Sequence, residues 1–168
     1  SIAQLLECSN PKINNENTSN KKTIDVFIYG TLDKTYSYRT NFISKLKYKG
    51  SHLNILIGDN YWDTDLDNYL SKSKIVVHVP SHQNCNHMPW AKINYLQTKK
   101  IFFIVEENEE LSKLNFNIIP YYKRNNVDDL LIKISYFLKN NDIMNGYIEN
   151  NFNYIKKNNN LDDKIPYI

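Results

Sequence analysis

The sequence predicts an α/β domain: a parallel, doubly wound sheet of about five strands with helices on both faces. Three observations predict it. From Thr23 onward, β-branched and aromatic runs alternate with segments whose apolar residues recur at three and four. The apolar runs are continuous instead of alternating, as in strands covered on both faces. And Lys74 to Glu107 reads as strand, polar loop, Pro-started helix and strand, the unit with which such a sheet builds a crevice at the carboxyl edge of its strands.

In order, Ile24 to Tyr29 is a buried strand ending at Gly30. Tyr38 to Tyr48 is a helix with Phe42, Ile43 and Leu46 on one face, stopped by Gly50. Leu53 to Ile57 is the second strand, and Asp65 to Leu70 begins a short helix. Lys74 to Val79 is the third strand, Pro89 to Thr98 a helix with Pro at its first turn, and Ile101 to Val105 the fourth strand. Asn117 to Ile119 is a short fifth strand. Val127 to Leu138 is an amphipathic helix turning Leu130, Leu131, Ile134, Phe137 and Leu138 inward, and Asp142 to Lys156 is a last helix. Right-handed crossovers then give, most simply, the order 3-2-1-4-5, a Rossmann-like arrangement. Its winding reverses between strands 1 and 4, so Gly30, Thr31, the loop after His78, and Glu106 should line the crevice.

Composition narrows the function classes. With 168 residues, 41% of them hydrophobic, one core is the expectation, and residues 23–157 are read as one domain between a polar lead-in (1–22) and a tail (158–168). Ser1 to Cys8 reads as the end of something upstream. A net charge of +3 with lysines scattered among acids lacks the concentrated basic face of a nucleic-acid binder. No apolar run reaches the roughly 18 residues of a membrane span, and no signal peptide is visible, so a cytoplasmic setting is expected. Cys8 and Cys85 stand in no CxxC pair and are read as reduced thiols.

The candidate residues each carry two readings. Lys92 lies one turn into a helix aimed at the crevice, a good place for an anion, and Arg39 could reach the same anion; both types are also common on solvated surfaces. Glu106 and Glu107 end a strand, where they contact ligand or complement the following helix. His78, His82, Cys85 and His87 bring zinc-type ligands into one loop, but at spacings of no common zinc site; the alternative is a polar crevice wall with His78 nearest the ligand. Trp90, Tyr95 and Tyr122 could stack on a base or sugar, or fill the core. Gly30 and Thr31 follow the first strand without a GxGxxG pattern, which argues against an NAD enzyme.

Four segments, IDVFIYGTLD, SKIVVHVP, WAKINYLQTKKIFFIVEEN and IIPYYKRNNVDDLLIKISYFL, resemble the nucleotide-sugar half of GT-B glycosyltransferases, in particular the family 1-like and CgeB-like group of bacteria and giant DNA viruses. The resemblance covers roughly Pro11 to Lys157. It implies a C-terminal domain that binds a nucleotide sugar as donor substrate, with no cofactor and no metal, and a glycan or protein acceptor. In a virus the setting would be the host cytoplasm. The catalytic base is expected on a separate N-terminal domain. By position, Glu106 (with Glu107 one residue away) would grip ribose, Lys92 would neutralise diphosphate, and Gly30 would admit phosphate or sugar to the backbone. Asn94 stands where the family often has a second carboxylate, and an amide is a weaker neutral partner for ribose. The alternative is therefore a non-catalytic binding or interaction module derived from such an enzyme.

Overall fold

In the computed structural model, residues 21–33, 35–59, 61, 63–113 and 119–158 are described, with side chains 63 and 158 excepted. Most of the lead-in, of the C-terminal tail and of the predicted fifth strand lies outside these residues. The elements are β1 (Ile24–Tyr29), α1 (Ser37–Lys49), β2 (Ile55–Gly58), α2 (Asp63–Ser71), β3 (Ser73–Val77), α3 (Trp90–Thr98), β4 (Phe103–Glu106), α4 (Glu109–Lys113), β5 (Tyr121–Tyr122), α5 (Val127–Lys139) and α6 (Asn141–Asn158).

The five strands form one parallel sheet, as the continuous apolar runs predict, but in the order β2-β1-β3-β4-β5. The predicted order 3-2-1-4-5 is corrected on this point. β3 pairs with β1, Val26 opposite Ile75 and Phe27 opposite Val76, while β2 forms the open edge on the far side of β1. Burial gives the physical reason. Ile75, Val76 and Val77 of β3 are fully buried, whereas Ile55, Leu56 and Ile57 of β2 are only half-buried, so the run of β-branched residues takes the central place. The winding consequently reverses between β1 and β3, and the crevice belongs there.

Two hydrophobic layers cover the sheet. On one face α1 (Phe42, Ile43, Leu46) and α5 (Leu130, Ile134, Phe137) pack on Val26, Ile28, Ile75, Val77 and Ile104. On the other, Leu70 of α2, Ile93 and Leu96 of α3 and Leu111 of α4 pack on Phe27, Val76, Phe103 and Val105. Phe27 lies among aromatic rings there, with centroids 5.4 Å from Tyr29, 6.5 Å from Tyr61 and 5.9 Å from Tyr69.

Local signals set the helix ends. Asn126 caps α5 by accepting from the Asp129 amide at 2.9 Å, with Asp128 and Asp129 in the positive first turn and Lys139 in the last. Asn108 does the same for α4, accepting from the Leu111 amide at 2.9 Å. The Glu110 carboxylate accepts from the Met88 amide and from Trp90 Nε1, both at 2.7 Å, and so ties α4 to the start of α3. α6 packs against α3 and α5, and its Asn151 side chain accepts from Gln97 Nε2 at 2.6 Å in a buried amide pair.

A cationic crevice at the β1/β3 switch point

Three basic side chains meet where the carboxyl ends of β1 and β3 lie side by side, at Gly30 and His78. Gly30 adopts φ +143°, a backbone region that disfavours side chains, and an added Cβ would stand 3.0 Å from Arg39 Nη1. Arg39 reaches across from α1: its Nη1 donates to the Thr31 carbonyl and its Nε to the Val79 carbonyl, both at 2.9 Å. One planar guanidinium thus ties the loop after β1 to the loop after β3. From the opposite side, Lys92 of α3 donates to the Tyr29 carbonyl at 2.7 Å, with Nζ 3.8 Å from the centre of the Tyr29 ring. Lys92 and Arg39 therefore hold the carbonyls on either side of Gly30.

His78 completes the group. Its amide donates to the Ile104 carbonyl at 2.9 Å, its own carbonyl accepts from the Tyr122 hydroxyl at 3.2 Å, and its Nδ1 is buried without a hydrogen-bond partner. Among the described residues, no ion pair joins a carboxylate to Arg39, Lys92 or His78. The electrostatics follow. Burial, then the Arg39 charge, pulls the Lys92 ammonium down to about 7. Burial, then Lys92 and Arg39, holds the His78 imidazole well below its ordinary value, so it is neutral at physiological pH. The set carries the Arg39 charge and part of the Lys92 charge at neutral pH, with no carboxylate ion-paired to either among the described residues.

Beside this crevice lies a polar cleft of about 350 Å3, lined on one side by Tyr38, Asn41 and Lys45 of α1 and on the other by His82, Gln83 and Asn125. Behind Tyr38 is Glu106, only 3% exposed, whose Oε2 accepts from the Tyr38 hydroxyl at 2.6 Å and from the Asn125 amide at 3.4 Å. Asn125 itself has φ 53°, a left-handed conformation that asparagine tolerates. Burial raises the Glu106 carboxyl above its ordinary value even though the Tyr38 bond opposes that shift.

A carboxyl raised on folding favours the fold while protonated, and that contribution is lost as pH rises through its folded pKa. Glu106→Gln, which keeps the shape and the acceptor, should therefore gain stability relative to wild type as pH rises from acid, near the ordinary 4.5, to neutral. Urea midpoints of both proteins across that range test this. A gap that is flat, or that narrows with pH, would show that hydrogen bonding outweighs burial at Glu106.

Gly30, Thr31, Arg39, His78 and Lys92 thus cluster at the carboxyl ends of β1 and β3, but the remaining candidates stand elsewhere. Tyr122 is corrected from a stacking surface to a core residue. It is 0% exposed, its ring centroid is 5.5 Å from that of Phe42, and burial, then Glu106, pushes its hydroxyl well above the usual tyrosine range. Asn94 is exposed and two residues from Lys92, hence on another side of α3. Glu107 is half-buried; its amide donates to the Tyr122 carbonyl at 2.8 Å and its carbonyl accepts from Arg124 at 3.4 Å. The loop histidines part company: His82 stands edge-on to Tyr36, while His87 is largely exposed 4.0 Å from Glu110. Among the described residues, no three His, Cys, Asp or Glu side chains gather as a metal site. Trp90 packs half-buried against the core, with its indole bonded to Glu110.

Sequence reasoning missed Tyr38 and Asn125, the residues that screen Glu106. Tyr38 carried no local signal, because its partner is 68 positions away. Asn125 did, standing next to the cap of α5 where a turn must form.

No protein-family model, curated protein or solved structure matches the chain. Among the described residues, no helix is long and apolar enough to cross a membrane.

Proposed function

We propose that the chain is the nucleotide-sugar-binding domain of a GT-B-type glycosyltransferase, which moves a sugar from a nucleoside diphosphate donor to a glycan or protein acceptor. One observation carries this reading: Arg39, Lys92 and His78 converge on a side-chain-free turn at the switch point, with no carboxylate paired to them among the described residues. A diphosphate supplies the missing negative charge, meeting the Arg39 guanidinium that occupies the space Gly30 leaves beside the backbone. Arg39 and Lys92 then stabilise the charge that grows on the leaving diphosphate. The bond from the anomeric carbon to the diphosphate oxygen breaks, the acceptor oxygen bonds to that carbon, and the acceptor proton passes to a base on a partner domain. The polar cleft beside Tyr38 suits the hydroxyl-rich part of the donor.

A second reading, a non-catalytic binding module of the same ancestry, is favoured by Glu106. Its carboxylate is already engaged by Tyr38 and Asn125, and Asn94 is turned to solvent, so neither of these two positions offers ribose a free carboxylate. Calorimetric titration of the chain with UDP, GDP and their sugars tests the leading reading. Saturable binding of at least one nucleoside diphosphate is the expected outcome, and no heat with any of them would discard it.

A further inference from the structure

We infer that Glu106 fixes the Tyr38 hydroxyl as a hydrogen-bond acceptor toward the polar cleft beside α1, so that the cleft selects a sugar by a hydroxyl that donates there. The inference rests on the reading above only in taking the ligand to be the sugar of the donor; the selection follows from the cleft itself.

The cleft holds about 350 Å3, within the roughly 300 to 1,000 Å3 of small-molecule sites, and its walls follow the carboxyl ends of β1, β3 and β5. Ser37, Asn41 and Lys45 stand on one side, Gln83 and Asn125 on the other. Among the described residues, none of these five side chains has a hydrogen-bond partner within the protein, so all five are free to exchange water for a ligand. Ser37, Asn41, Gln83 and Asn125 each offer both a donor and an acceptor, which matches sugar hydroxyls, themselves both donors and acceptors. An anion would leave those acceptors unmet, and an apolar ligand would strip water from the amides without replacing it.

The wall at Tyr38 differs, because its proton is already committed. Glu106 Oε2, on a residue only 3% exposed, accepts from the Tyr38 hydroxyl at 2.6 Å, and the Asn125 amide reaches the same oxygen at 3.4 Å. Tyr38 keeps that proton, since burial, then the bond to Glu106, holds its hydroxyl above the ordinary tyrosine range. A hydroxyl has one proton and two lone pairs, and the Asn125 amide stands against one of the pairs. What remains for a ligand is a single acceptor. Turning the proton into the cleft would strip a buried carboxylate of its 2.6 Å hydrogen bond, and bonds to a charged group are the costly ones to lose. A sugar hydroxyl can donate to Tyr38; a group that only accepts cannot bond there. Glu106 is thus a positioning residue that acts through Tyr38 without touching the ligand.

Ligand-observed NMR titration of the chain with the methyl glycosides of glucose, galactose, mannose and N-acetylglucosamine finds the sugar, and replacing its hydroxyls one at a time finds the one that Tyr38 reads. At that position a fluorine, which only accepts, should weaken binding about tenfold, whereas an ammonium, which only donates, should bind as well as the hydroxyl. In Tyr38→Phe the parent sugar should lose about tenfold, and the fluorine should cost nothing further. A merely structural role for Tyr38 would leave the fluorine penalty in place, and a ligand that accepts from Tyr38 would reverse the order of fluorine and ammonium. Either result overturns the inference, as does the absence of saturation with all four glycosides. Calorimetry with UDP and GDP judges the nucleotide reading separately. No heat with either, beside the expected sugar pattern, discards that reading and keeps the selection by Tyr38; heat without the sugar pattern does the opposite.

Discussion

Replacing Arg39 by alanine should weaken UDP binding by about a hundredfold, equivalent to about 3 kcal/mol, while lowering stability far less. Two roles meet in this side chain. Toward the protein, the guanidinium bridges the Thr31 and Val79 carbonyls, and hydrogen bonds from a charged donor are worth about 1.5 to 3 kcal/mol each when removed. Against that stands relief of repulsion, because Arg39 adds to the burial that chiefly depresses Lys92 and His78, and its removal lifts that added part. The two effects partly cancel, and the net destabilisation should be about 1 to 2 kcal/mol. Toward a diphosphate nothing cancels, since both the forked donor and the fixed charge are lost. Arg39→Lys separates charge from shape: an ammonium keeps the sign but cannot span two carbonyls and an anion, so intermediate affinity is expected. Calorimetry for affinity and urea melts for stability read the two roles separately. If affinity is unchanged in the alanine variant, the diphosphate lies elsewhere.

The largest loss of stability should come from Phe27→Ala, about 3 to 5 kcal/mol. Phe27 is fully buried in the second strand from the edge, opposite Leu56 on one side and Val76 on the other. Its ring anchors an aromatic group with Tyr29, Tyr61 and Tyr69, so truncation removes both buried area and ring contacts. The effect should extend to binding, because the Tyr29 ring that stacks on Phe27 is also the floor beneath Lys92. Phe27→Leu refills most of the volume and should recover most of the stability. Urea denaturation of both variants measures this, and a loss under about 1 kcal/mol for alanine would mean that the neighbouring rings close the gap.

Much of the fold was legible because its signals are local. The runs IDVFIY and SKIVV are continuous and β-branched, and only a strand covered on both faces suits them. The spacing of Leu130, Ile134 and Phe137 fixed the inner face of α5, and all three are buried. Strand order was not legible in the same way. Periodicity says which residues face inward but not on which side of β1 a crossover returns; only a comparison of SKIVV with the shorter ILIG hints that β2 is the edge. Of the fifth strand, Tyr121 and Tyr122 pair with Val105 and Glu106, while the predicted Asn117 to Ile119 lies mostly outside the described residues.

The site divides along the same line. Gly30 and Lys92 were legible from position alone, one after a strand and one in the first turn of a helix. Glu106 was legible as a residue at a strand end but not in its surroundings, because Tyr38 and Asn125 reach it from distant parts of the chain. Tyr122 misled because an aromatic next to a crevice and an aromatic beneath it look alike in sequence; the contact with Phe42 distinguishes them.

The buried amide pair between Gln97 and Asn151 bears on how the chain matures during synthesis. Translation delivers the sheet and α3 well before Asn151 leaves the ribosome, so a nascent chain presents the Gln97 side of α3 to water until the final helix arrives. That helix should close as a latch over a sheet already in place.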